Sequence, residues 1–124
     1  MEYIEQLQHQ GIKYTQQLLE RGKTVGLREE LAEESGVPVP VLVELVGRAD
    51  LMRLRGIGGD LSRLLIEAGI TSCRSLVEQN VERLHKRLAE LHIRRHIAYH
   101  APSKAQVRSW LNEAQELTTS SPDL

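Results

Sequence analysis

The residues best placed to do chemistry lie between two apolar runs, in Leu51-Met52-Arg53-Leu54-Arg55-Gly56-Ile57-Gly58-Gly59-Asp60-Leu61-Ser62-Arg63-Leu64-Leu65. Gly56 and Gly58 free the backbone to take φ > 0 and to approach a partner with no Cβ in the way. Ile57, between them, plugs the space between two helices. The pattern reads as a helix-hairpin-helix. Its second helix opens with N–H groups that have no acceptor inside the helix, and the helix dipole adds positive potential there. The amides beside Gly58 and Gly59 therefore suit one phosphate of a nucleic-acid backbone. Arg53, Arg55 and Arg63 supply positive charge around it. A contact of this kind positions a protein without reading base sequence, so the expected binding is weak and strongly salt-dependent. The same glycines would equally serve helix packing with no ligand. Asp60 favours that plainer reading: a carboxylate in the first turn stabilises the helix by about 0.3–1 kcal/mol and repels a phosphate.

Other reactive types carry less. His92, His96 and His100 stand four apart and would share a face on an unbroken helix. Arg94 and Arg95 would repel a cation, however, and no cysteine or carboxylate completes a shell. The expectation is no metal and no cofactor. Cys73 follows Thr71, where a helix N-terminus lowers a thiol pKa, although a small buried cysteine is the commoner outcome. As a lone cysteine it can form no internal disulfide. No base and orienting acid stand at a recognisable spacing for nucleophilic chemistry, so the chain reads as non-enzymatic. Trp110 is a core anchor or the centre of a protein interface. In the run Val37 to Val46, Val39 and Val43 belong to a segment that is deeply buried or meets a partner.

The elements that must hold these residues are helices. Among 124 residues, 40% are apolar and 3% aromatic, with no Phe, so Leu, Val, Ile and Ala fill the interior. That length supports one compact domain. From Tyr3 to Arg21 the pattern predicts one or two short helices interrupted near Gly11, with Gly22 as a C-cap. A short acidic helix from Leu27 to Ser35 ends at Gly36, and another runs from about Pro40 to Arg48. Asp50 caps a short helix leading into the glycine hairpin. The next helix reaches Ala68 and ends at Gly69; Thr71 caps one that runs to about Gln79. Val81, Leu84, Leu88 and Leu91 give the helix from Asn80 to His92 one buried stripe. Ser103 and Gln106 form a capping box for a last helix, which buries Val107, Trp110, Leu111, Ala114 and Leu117. Residues 1–117 form the domain and residues 118–124 a polar, frayed tail. No run approaches the roughly 18 residues of a membrane span, and the N-terminus has neither a basic leader nor a small-residue cleavage site. The expectation is a soluble, cytoplasmic chain.

A net charge of −1 hides an asymmetry: residues 51–108 carry eleven Lys/Arg against five acids, and the remainder five against twelve. Only the second part could meet a polyanion. At an offset of 47 residues, Gly11, Tyr14, Leu18, Gly22 and Thr24 echo Gly58, Leu61, Leu65, Gly69 and Thr71. Two related hairpin units are implied. His9-Gln10-Gly11 then stands where Gly56-Ile57-Gly58 stands, so the first unit lacks one glycine and the plug residue.

Arg48-Ala49-Asp50-Leu51-Met52-Arg53 before the hairpin, Glu67-Ala68-Gly69-Ile70-Thr71 after it, Leu84-His85, and Pro102-Ser103 through Trp110 resemble a bacterial and archaeal family of tandem helix-hairpin-helix domains of unknown function. The resemblance covers Tyr3 to Leu117. It implies an all-α fold of about eight short helices: two packed hairpin units, the first degenerate, with a C-terminal docking helix. It also implies nucleic-acid binding, by extension from the wider superfamily. Three departures weigh against tight binding: Gly59-Asp60 after the second glycine, Ser62 in place of alanine, and Tyr99-His100 in place of a basic pair. The leading expectation is a module gripping nucleic-acid backbone through the second hairpin. The alternative is a protein–protein adaptor on the same scaffold, with no nucleic-acid binding.

Overall fold

The computed structural model describes residues 3–97 and 100–120; residues 1, 2, 98, 99 and 121–124 lie outside it. Its elements are eight helices in chain order: α1 (Ile4–His9), α2 (Thr15–Gly22), α3 (Val25–Ser35), α4 (Val39–Leu51), α5 (Gly59–Glu67), α6 (Cys73–Val77), α7 (Val81–Arg95) and α8 (Lys104–Ser120). The described residues are all helix and connection, as the composition requires. None of these helices is long and apolar enough to cross a membrane.

Two apolar clusters hold the molecule. Leu7, Ile12, Leu18, Leu31, Val37, Leu42, Leu45, Val46 and Ala49 close the first, inside α1 to α4. Leu51, Leu54, Ile57, Leu64, Leu65, Ile70, Leu76, Leu84, Leu88, Val107, Trp110 and Ala114 close the second, inside α5 to α8. Each buried aliphatic side chain contributes about 1.5–3 kcal/mol. Helix α4 belongs to both clusters, since Ala49 packs in the first and Leu51 in the second. It is the spine joining the acidic and basic parts of the chain.

One device makes four of the turns. Gly11, Gly36, Gly56 and Gly69 all have φ between 78° and 91°. Each is followed by a buried β-branched residue: Ile12, Val37, Ile57 and Ile70. A left-handed residue after a helix turns the chain back, and the next residue packs beneath the last turn. At two of these turns the bond pattern is complete, with Ile12 N–H on Leu7 O at 3.0 Å and Ile70 N–H on Leu65 O at 2.9 Å. At the turns themselves Gly11 matches Gly56 by conformation and buried Ile12 matches buried Ile57, an offset of 45 residues, while the buried Leu18 and Leu65 keep the expected offset of 47.

Further corrections concern helix ends. Helix α4 runs unbroken through Gly47 and Asp50, so Asp50 begins no new helix. Gly22 is not a C-cap but lies inside α2, where a Cβ would stand 2.5 Å from Val46 Cγ2. Ser72, not Thr71, caps α6. Helix α7 runs to Arg95, three residues beyond the expected end, and α8 takes in Thr118 and Thr119. The Ser103–Gln106 capping box is present, with Ser103 N–H on Gln106 Oε1 at 2.8 Å and Gln106 N–H on Ser103 Oγ at 3.1 Å.

Candidate functional site

The first turn of α5 is open. Thr24, Ser72, Asn80 and Ser103 close the starts of α3, α6, α7 and α8 with side-chain oxygens. Helix α5 begins instead at Gly58, which has φ −102°, ψ −160° and no side chain to cap with. Gly58, Gly59 and Asp60 are exposed. Asp60 makes no hydrogen bond or ion pair among the described residues, so its carboxylate does not take the amides beside it. The turn forms one wall of a groove of about 390 Å³, with Gly58, Gly59, Asp60 and Leu61 facing His100, Ala101, Pro102 and Gln106. Free helix-terminal N–H groups beside an open groove can accept an oxyanion.

The cations around this turn divide by position. Arg53 is held by Asp50, NH1 to Oδ1 at 2.8 Å, which neutralises much of its charge. Arg55 and Arg63 are exposed. The Arg55 amide, though not its guanidinium, is bound by Glu113 Oε1 at 3.0 Å from α8. Arg48 is the member that local sequence reasoning missed. From α4 its Nε donates to Ser62 Oγ at 3.2 Å and its NH2 to Gly59 O at 3.1 Å. A guanidinium therefore sits against the first turn of α5 and fixes that turn to the spine. Nothing local signalled it, because its partners are eleven and fourteen residues on.

The remaining basic residues are not gathered here. Arg87 NH1 donates to Ala68 O at 3.0 Å and Arg95 pairs with Glu67 at 3.4 Å. Both contacts lie at the C-terminal end of α5, where cations offset the helix dipole.

The other candidates resolve by burial. Asp50, 1% exposed, receives the Cys73 N–H on Oδ2 at 2.8 Å, and Cys73 Sγ–H donates to Asp50 O at 3.3 Å. Asp50 thus caps no helix of its own segment, contrary to expectation, and closes the first amide of α6 from across the fold. One turn earlier, a Cβ on Gly47 would collide with Thr71 O, so the α5–α6 connection docks against bare backbone. Burial first, and the Asp50 carboxylate second, push the Cys73 thiol up to about 12. It is therefore a structural, unreactive group. Trp110 is 2% exposed with Nε1 near Gly56, which leaves it no surface for a partner. Val39 and Val43 are 37% and 46% exposed. Helix α7 ends before His96, which has φ 48°, so His100 does not continue the face of His92 and His96. Tyr99, the other half of the replaced basic pair, lies outside the described residues.

An all-helical domain with two apolar clusters on a shared spine, and no group of three potential metal ligands among the described residues, is the class this geometry defines. The chain belongs to the family described as Domain of unknown function (DUF4332), whose model matches residues 1–117. No curated protein matches the chain. No solved structure matches it.

Proposed function

We propose that this chain is a non-enzymatic cytoplasmic binding module, a tandem helix-hairpin-helix whose second hairpin holds nucleic-acid backbone weakly and without sequence preference. The observation that carries the reading is the uncapped, exposed first turn of α5, opening on the groove lined by His100 and Gln106. The recurrence of a left-handed glycine and a buried isoleucine at Gly11-Ile12 and Gly56-Ile57 supports the two-hairpin description. Arg48, against Gly59 O, and the exposed Arg55 and Arg63 add favourable potential, while Asp60 subtracts from it. One phosphate held by amides and few cations gives low affinity and a strong salt dependence.

Titration of labelled duplex and single-stranded oligonucleotides at low and moderate salt tests this. Arg55→Glu weakens binding, Asp60→Lys strengthens it, and both change the salt slope. Absence of binding at low salt would overturn the reading. A second reading, a protein adaptor, draws on the exposed Val39 and Val43, one turn apart on α4 between exposed Pro38, Pro40 and Glu44.

A further inference from the structure

A second cationic surface lies on α7, whose Arg87 reaches the end of α5 far from the groove, and it depends on no helix terminus. Arg83, Arg87 and Arg94 of α7 are exposed. At 3.6 residues per turn their side chains leave the helix within about 40° of one another. Lys86 is exposed nearby. Among the described residues no carboxylate pairs with the side chains of Arg83, Lys86 or Arg94. Arg87 donates to a carbonyl, Ala68 O, rather than to a carboxylate, so no ion pair cancels its charge. Of the acids on the outer side of α7, Glu82 turns to Lys104 at 3.3 Å and Glu90 remains exposed.

Helix stability accounts for only part of this row: Glu90 stands on the same face, one turn from Lys86, Arg87 and Arg94, whereas Arg83 has no acid one turn away. Arg94 lies in the last turn, where the dipole favours a cation, but Arg83 lies in the first, where the dipole opposes one. Arg83 also stands one turn from both Lys86 and Arg87, and like charges at those spacings destabilise a helix. An external anion would reverse both penalties. Arginine forks one and two turns apart along one face fit successive phosphates, each able to accept two N–H bonds.

We infer that the exposed face of α7 is a second backbone-contact surface for a nucleic-acid strand, an assignment that rests on the nucleic-acid reading above. Helix α5 is about 13 Å long, which sets the distance between the Gly59 amide and the Arg87 contact at Ala68 O. Each strand of a duplex places one phosphate per ~3.4 Å of helix axis, so a duplex lying along α5 spans that distance in about four base steps and would reach both ends.

Fluorescence anisotropy with labelled oligonucleotides across a salt series compares the parent, Arg83→Glu/Arg94→Glu, its milder form Arg83→Gln/Arg94→Gln, and Gly58→Asp, with melting curves for each. The expected result is that the charge-reversed variant binds about tenfold or more weakly, with a salt slope shallower by about two, at unchanged melting temperature. The glutamine form keeps the test alive should reversal disturb folding, and it must show a smaller loss in the same direction. If α7 variants bind like the parent while Gly58→Asp does not, this inference falls and the α5 site stands. If Gly58→Asp binds like the parent and the α7 variants do not, the inference stands and the hairpin site falls. A parent that binds no oligonucleotide at low salt overturns both. Equal displacement of the oligonucleotide by poly-glutamate at matched charge would overturn the assignment to nucleic acid in favour of an acidic protein.

Discussion

The carboxylate of Asp50, on the last turn of α4, receives the backbone N–H of Cys73 at 2.8 Å, twenty-three residues further along the chain. A buried acceptor on the spine thus closes the start of α6, while its other oxygen holds Arg53. The contact ties the connection after α5 to the helix before it, and so fixes both flanks of α5.

Asp50→Ala should therefore destabilise the whole domain rather than one helix. It strands the Cys73 amide, at a cost of about 1–3 kcal/mol. Thermal unfolding checks this: a melting temperature lower by several degrees is expected, and Asp50→Asn, which can still accept the amide, should lose less. An unchanged melting temperature in the alanine variant would show that the contact carries no stability.

Gly58 gives a test in which two effects run in opposite directions. Its φ of −102° suits any residue, and nothing lies within 4 Å of where a Cβ would sit. Ser or Asp there would cap the first turn of α5, and such a side chain is worth a few tenths of a kcal/mol over glycine. The protein should become slightly more stable and bind oligonucleotide less well, because the new oxygen takes the amides. Gly56→Ala should differ: at φ 83° it strains the backbone by about 1–2 kcal/mol and mainly lowers stability.

Cys73 sets a pH dependence. Its thiol is pushed from 9.0 up to about 12, by burial and then by Asp50. Between those values the unfolded chain has lost a proton that the folded chain keeps, so stability falls as pH rises through the window and is unaffected by this group below it. Denaturant titrations in the neutral range and inside the window should show that decline in the parent and a weaker one in Cys73→Ala. A thiol reagent at neutral pH should react with the native protein far more slowly than with the unfolded chain.

Much of the fold was legible because its rules are local. The capping box of Ser103 and Gln106, the turns at Gly36 and Gly69, and the buried Leu84 and Leu88 follow from residues within one or two turns of each other. What was not legible depends on distant partners. Asp50 has the chemistry of a cap, but its amide comes from α6; Gly22 looks like a helix end until Val46 is seen pressed against it, and nothing local marks Gly47 as the place where Thr71 O docks. The candidate site divides in the same way. The glycine turn and the open amides of α5 are written in consecutive residues, whereas the opposite wall comes from His100 to Gln106. The arrival of Arg48 at Gly59 is likewise a tertiary fact, whereas Arg53 is held by Asp50 only three residues away, a pairing its spacing allows.

The account stands on the first-turn amides of α5 being available to an oxyanion. Amide-resolved NMR during titration with a short oligonucleotide, repeated with inorganic phosphate, reads those N–H groups individually. The account predicts saturable shifts led by Gly59, Asp60 and Leu61, enlarged in Asp60→Lys and abolished in Gly58→Asp. Saturable binding that leaves these three amides unmoved would contradict it.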